Sequence, residues 1–251
     1  YSVNAYSAVM TKGERVIAVS ECARDYVLDN YPAVAPDRVS VIQRGVDRNI
    51  FPEEFRPDED WLAAWKRQYP QLTERYVITL PGRINRRKGV FDFITIVAAL
   101  KNRGIPVHGL VVGEIPQGKN RLSKELDGAI AAAGIADAVT FTGFRPDVRE
   151  IMAISNAVLS VSQQPEAFGR TINEALSLGV PVAGYAHGGV GEQLESRFLQ
   201  GSIVPLDPGA MVEKLASWFE SPPSMQGVQS WTLDEMLDKT LSLYQSVARM
   251  E

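Results

Sequence analysis

With 251 residues, 45% hydrophobic and 22% charged, the chain is long enough to bury one large or two small cores. A net charge of −4 gives no reason to expect a nucleic-acid partner, and a single cysteine, Cys22, excludes an internal disulfide and fits a reducing compartment. No apolar run approaches the roughly 18–20 residues of a membrane span, and the first residues lack the basic start and apolar core of a signal peptide.

The chain opens at Tyr1 without Met, on a segment that reads as helix and then strand, the pattern expected of an engineered fragment of a longer chain. Arg15 to Ser20 is β-branched and reads as a strand. Ser20 then caps a helix over Glu21 to Asn30 that stops before Pro32. Val39 to Ile42 reads as a second strand. Arg48 to Asp60, with Pro52, Pro57 and a run of acidic residues, reads as a linker or surface loop.

A regular alternation follows. Strands are expected at Tyr76–Leu80, Val107–Val112, Val139–Thr142, Ala157–Val161 and Val180–Tyr185, with a short one at Ile203–Val204. Helices are expected at Val90–Asn102, Leu122–Ala133, Val148–Ser155, Gly169–Leu178, Gly209–Glu220 and Thr232–Met250. Strands alternating with helices of this length mean βαβ units on a parallel sheet, and continuous apolar strands mean that both faces are covered. The fold class is α/β, a doubly wound Rossmann-like sheet. Ligands of such sheets sit at the carboxyl ends of the strands, so the chemistry belongs in the loops that follow them.

The loop from Pro81 to Gly89 carries Arg83, Arg86, Arg87 and Lys88 between a strand end and a helix start. Cations, free N–H groups and the helix dipole together favour an anion; the competing reading is a solvated basic turn. The loop from Gln163 to Leu176 places Glu166 before a helix and Glu174 about one and a half turns inside it. Phe168 and Gly169 form that helix start, where a phosphate is favoured. Two carboxylates around a phosphate-ready helix start suit a sugar nucleotide; equally, Glu166 fits as a dipole partner and Glu174 as an exposed helix residue. Gly188, Gly189 and Gly191 allow close backbone approach to a ligand or form a plain turn, and the adjacent His187 reads more readily as structural than as a ligand contact. Gly113 to Lys119 nearly spells a phosphate-binding P-loop, but Asn120 stands where Ser or Thr is needed for magnesium. The dinucleotide fingerprint is broken at Gly82-Arg83-Ile84.

Five segments in this order resemble family 4 of the glycosyltransferases, retaining enzymes of GT-B fold. They are Gly-Arg-x4-Lys-Gly at Gly82–Gly89, the strand end Val112-Gly113, and Val139 to Val148 with its Val-x-Phe-x-Gly pattern. Glu-x7-Glu follows at Glu166–Glu174, then Gly179 to Val182 with Gly188-Gly189. The resemblance implies that Arg83 and Lys88 bind the donor diphosphate and stabilise its leaving charge. It also implies that Glu166 holds the donor sugar and Glu174 the ribose. Backbone at Gly82, Gly113, Phe168 and Gly169 would approach the ligand, and Phe144-Arg145 would flank the base. Arg83, Lys88 and Glu166 are thus the expected catalytic residues. No metal and no cofactor are implied; the substrate is a nucleoside diphosphate sugar of UDP or GDP type.

By the same resemblance, residues 1–44 are the end of an acceptor-binding N-terminal domain and residues 45–75 a linker and surface segment. Residues 76–230 are the donor domain, and 231–251 the helix that crosses back. The partner beyond the donor is a glycan or glycolipid acceptor bound through the missing domain, as in polysaccharide or lipopolysaccharide biosynthesis. The expected location is cytoplasmic, with peripheral membrane association of the full-length enzyme left open. A sugar-nucleotide epimerase of this fold and a non-catalytic binding module are the competing functions.

Overall fold

A computed structural model describes residues 8–115 and 120–248. Its main body is one six-stranded parallel sheet built from β3 (Tyr76–Pro81), β4 (Val107–Val112), β5 (Val139–Gly143), β6 (Ala157–Ser160), β7 (Val182–Tyr185) and β8 (Ser202–Ile203). The strands lie in the order β5-β4-β3-β6-β7-β8. Counted from β3 this is 3-2-1-4-5-6, the doubly wound Rossmann order. Two further short strands, β1 (Val16–Ala18) and β2 (Val39–Val41), pair in parallel as a separate sheet.

Apolar residues on both sides of each strand make the core. In β3 and β4 every residue is buried. Tyr76, Ile78 and Leu80 face one cluster with Val107 and Val111, while Val77, Leu110 and Val112 face a second. The first cluster is closed by α3 (Val90–Asn102), which buries Val90, Phe93, Ile94, Ile96, Val97 and Leu100, the repeat of a helix packed on a sheet. The second is closed by α2 (Glu59–Gln68) through Trp65, and by Tyr69 and Leu72 just beyond it.

Helix α2 lies inside the segment 45–75 expected to be linker and surface. Asp58 caps it by accepting from Trp61 N at 2.7 Å, acidic residues fill its first turn and basic residues its last, and Trp61 stacks on Trp65 at 5.0 Å. The prolines that signal a loop end before this helix, and the last acids of that stretch, Asp58, Glu59 and Asp60, form its cap and first turn.

The remaining helices fall close to the expected ranges: α1 (Glu21–Asn30), α4 (Asn120–Ala133), α5 (Val148–Ala153), α6 (Arg170–Ser177), α8 (Pro208–Glu220) and α9 (Leu233–Ala248). An additional helix, α7 (Gly188–Arg197), occupies the glycine-rich stretch read as loop or turn. Thr232 and Glu235 form a reciprocal capping box at the start of α9: Glu235 accepts from Thr232 N at 2.9 Å, and Thr232 Oγ1 accepts from Glu235 N at 3.2 Å. Val46 joins this start through paired backbone bonds with Trp231 and Leu233, each 2.9 Å. Asn173, buried in α6, donates to Arg44 O and Trp231 O and accepts from Trp231 N. One side chain thus ties α6 to the segments around Arg44 and Trp231.

Candidate active site

The strand order places the switch point between β3 and β6. The chain winds from β3 to one side and from β6 to the other, so the loops after these strands diverge and leave a crevice. Gly89 sets their spacing. Its φ is +75°, and a Cβ there would stand 1.8 Å from Val161 O, so only glycine lets the start of α3 meet the end of β6 this closely. Gln163 N donates to Arg87 O at 2.7 Å and joins the two loops directly.

The first loop is the basic wall. Gly82 N donates to Val112 O and Ile84 N to Glu114 O, so the loop continues the β3–β4 pairing. Gly113 faces Gly82 so closely that a Cβ on Gly113 would meet Gly82 O at 2.0 Å. Asn85 caps the single turn Arg86–Lys88 by accepting from Lys88 N at 2.9 Å. The four cations have different fates. Arg86 pairs with Glu125 and lies over the Phe91 ring at 4.9 Å. Lys88 turns into the crevice. Arg83 and Arg87 are exposed, and among the described residues neither side chain makes a hydrogen bond or ion pair.

The second loop is the acidic wall. Lys88 Nζ donates to Glu166 Oε1 at 2.7 Å and to Oε2 at 2.8 Å, and Ser162 Oγ also donates to Oε1. Burial opposes ionisation of Glu166, but the bonds from Lys88 and Ser162 and the nearby charges of Lys88 and Arg87 outweigh it. They hold the carboxyl below its ordinary value. Behind it, Gln163 and the Tyr185 hydroxyl both donate to Asp92 Oδ2, at 2.9 and 2.6 Å. Burial, then the bond to Asp92, push the Tyr185 phenol up and keep it a neutral donor.

The start of α7 closes on this loop from outside. Gly189 N donates to Glu166 O at 2.7 Å. A Cβ on Gly188, whose φ is +59°, would meet Glu166 O at 2.6 Å, and one on Gly189 would meet Ala167 O at 2.5 Å. The close approach these glycines permit is therefore to the Glu166 loop. His187 is engaged too: its Nε2 lies 2.9 Å from Ser162 O, which can only accept, so this nitrogen carries the proton.

Helix α6 begins at Gly169, with φ +84°. Phe168 is buried beside the Trp231 ring at 5.8 Å, and its carbonyl accepts from Gln193. Glu174, expected either at a ligand or exposed, has a side chain only 16% exposed, and Arg170 pairs with it at 3.1 Å. No hydrogen bond links Glu174 to Lys88 or Glu166 among the described residues.

The loop after β5 divides its two candidates. Phe144 is 70% exposed. Arg145 is turned back: it forks onto both Asp147 oxygens, at 2.8 and 2.6 Å, and lies over Trp65 at 5.4 Å. Asp147 also accepts from Trp61 Nε1 at 2.8 Å. The Arg145 guanidinium thus fastens the loop to α2. Pro116–Lys119 of the near P-loop lie outside the described residues. Among the described residues no group of three His, Cys, Asp or Glu could hold a metal ion, and no helix is long and apolar enough to cross a membrane.

Two contacts invisible in the sequence attach α1 to this wall. Ser20 Oγ accepts from Ala23 N and donates to Ala167 O at 2.6 Å, the carbonyl next to Glu166. Glu192 of α7 accepts from Glu21 N at 2.9 Å and Cys22 N at 2.5 Å, satisfying the start of α1. Beside them an open groove runs between α1 and α7, lined by Asp25, Asp29, His187, Glu192 and Glu195.

A Rossmann-order sheet with a lysine–carboxylate pair at its switch point belongs to the α/β proteins that bind ligands at their strand ends. The family model for glycosyl transferases group 1 matches residues 63–229, and the chain belongs to that family. It is 33% identical over 182 residues to 2-deoxystreptamine glucosyltransferase of Streptomyces kanamyceticus, an alignment covering 70% of this chain and 41% of the relative. Among solved structures it resembles a glycosyltransferase of Rickettsia africae with a TM-score of 0.85 and 25% identity, covering 100% of this chain and 69% of that one. It superposes on HepE of Anabaena, determined with UDP and glucose, with a TM-score of 0.82 at 23% identity, covering 93% and 64%. These likenesses identify the sheet as the Rossmann-like half of a GT-B fold. The chain spans less than two-thirds of the length of the curated relatives it matches.

Proposed function

We propose that this chain is the donor-binding part of a retaining hexosyltransferase of glycosyltransferase family 4, using a nucleoside diphosphate sugar of UDP or GDP type. The observation that carries the reading is the Lys88–Glu166 pair between the two loops of the switch point. It joins a cation suited to a diphosphate to a carboxylate suited to sugar hydroxyls. Arg83 stands free on the same loop to add a second charge. HepE, with the same fold, was determined with UDP-glucose.

In this mechanism Arg83 and Lys88 bind the diphosphate and stabilise the negative charge it gains as the sugar departs. Cations fixed before the reaction begins lower the barrier without reorganising. Glu166 holds the sugar hydroxyls and Glu174 those of ribose. The N–H groups of Phe168 and Gly169 at the start of α6 face the phosphates. Gly82 and Gly113 let the backbone approach the ligand, and the Phe144-Arg145 loop flanks the base. The two cations take the charge-neutralising role, so the site needs no metal. The acceptor is a glycan or glycolipid bound with the N-terminal domain, and the full-length enzyme works in the cytoplasm or at the inner membrane face.

A panel of nucleotides and nucleotide sugars, scored by thermal stabilisation with and without EDTA, tests this reading. Stabilisation by one nucleoside diphosphate and its sugar, unaffected by EDTA, is expected. A strict requirement for magnesium or manganese would overturn the cation-only site. Product analysis with the full-length protein separates transfer, which needs an acceptor, from epimerisation, which does not.

A further inference from the structure

We propose that Ser162 is the positioning residue that keeps the Glu166 carboxylate aimed into the crevice when Lys88 turns to the diphosphate. The inference rests on the donor-site reading above. In the ligand-free site Lys88 bonds both oxygens of Glu166, so the group meant for phosphate and the group meant for sugar neutralise each other. A bound diphosphate competes for Lys88, because a phosphate oxygen is also an anionic acceptor for its ammonium. Once Lys88 is shared or withdrawn, Glu166 needs another donor to stay in place. Among the described residues the one other side chain donating to it is Ser162.

The surroundings of Ser162 suit that task. It is 3% exposed, just past the end of β6, and is itself fixed through its carbonyl by His187. Its next neighbour Gln163 is held by Asp92 and by Arg87 O. The donor therefore sits on a strand end and the acceptor on the turn four residues later, and Gly189 N secures that turn from the other side. A hydroxyl in this place costs little to keep and binds one carboxylate oxygen, leaving the second for the ligand. The charged groups facing Glu166 are Lys88 and Arg87, both from the opposite wall; Arg87 acts on it by charge alone, and Lys88, which bonds it, is the group a diphosphate draws away.

The test uses Ser162→Ala, Ser162→Thr and Glu166→Gln, titrated with UDP, UDP-glucose, GDP and GDP-mannose. A carbon-detected NMR titration of the Glu166 carboxyl runs in parallel, without ligand. Ser162→Ala is expected to leave the diphosphate affinity unchanged and to weaken the intact sugar nucleotide roughly 10-fold, the scale of a hydrogen bond to a charged group. It is also expected to raise the Glu166 titration midpoint, with Ser162→Thr restoring both. A merely structural role would lower the melting temperature without moving the carboxyl titration or the sugar selectivity. If Glu166→Gln loses sugar selectivity while Ser162→Ala keeps it, the positioning role is overturned and the donor-site reading stands. If Glu166→Gln loses none with any probe, both fall.

Discussion

The two loops at the switch point carry opposite charges and opposite degrees of commitment. The Ser162–Gly169 wall has its groups satisfied before any ligand arrives: Glu166 has two side-chain donors, Gln163 has Asp92, and Gly188 and Gly189 press on its backbone. The Arg83–Lys88 wall keeps two of its four cations unpaired among the described residues. A carboxylate withdrawn from water needs partners at once, whereas exposed guanidinium groups are solvated until an anion displaces the water. The acidic wall is thus part of the fold, and in the proposed donor site the basic wall is the one held ready for the ligand.

That contrast predicts where mutations register. The largest effect belongs to Gly188→Ala. The added Cβ meets Glu166 O, and the positive φ penalises any side chain, so stability should fall by about 2–4 kcal/mol. Chemical denaturation measures it, and an unchanged midpoint would mean that the acidic wall is not clamped. Next comes Arg83→Ala, expected to weaken the nucleoside diphosphate roughly 10- to 150-fold, the cost of a charge-assisted bond. Its melting temperature should not move. A drop in stability would show that the basic wall is also structural.

Glu166→Gln should be smaller and of unusual sign. It frees Lys88, so diphosphate affinity should rise a few-fold while the intact sugar nucleotide weakens; calorimetry with both ligands reads the difference. A fall in diphosphate affinity would mean that Lys88 needs Glu166 to be oriented. The acid limb of stability gives the smallest effect and separates two groups. His108 is buried, and burial first, then Arg75, pulls it down to about 4. The unfolded chain takes up that proton near 6.5, so folding loses stability as pH falls from 6.5 toward 4. Glu166 is depressed below its ordinary 4.5, so its contribution is present above that value and disappears only at lower pH. His108→Leu should flatten the first interval of a melting-temperature profile and Glu166→Gln the second. Overlap of the two would break the assignment.

The periodic elements were legible because their signals are local. The range Val90–Asn102 matches its helix residue for residue, and Ser20 caps Glu21–Asn30 as its residue type predicts. The alternation of strands and helices was enough for a doubly wound parallel sheet, and Glu166, Lys88 and the glycines stood out in their loops. Helix α2 was missed although Trp61, Trp65 and Tyr69 recur every four residues, because the acids and prolines before it outweighed that repeat. Helix α7 was missed because three glycines within four residues oppose a helix in isolation; here Gly188 and Gly189 are needed for contact with the Glu166 loop and Gly191 for close approach to Ala186, a gain visible only in three dimensions.

The site divides in the same way. Residue type and order, read against a family resemblance, located the two loops. Only tertiary structure decided which cations are spent, that Arg145 faces Asp147, and that Glu174 is largely buried beside Arg170. It alone brought Ser20 to Ala167 and Glu192 to Glu21, across about 150 and 170 residues. Such contacts depend on where the sheet's winding delivers each strand end, and no local pattern encodes the distance between residues that the chain itself keeps far apart.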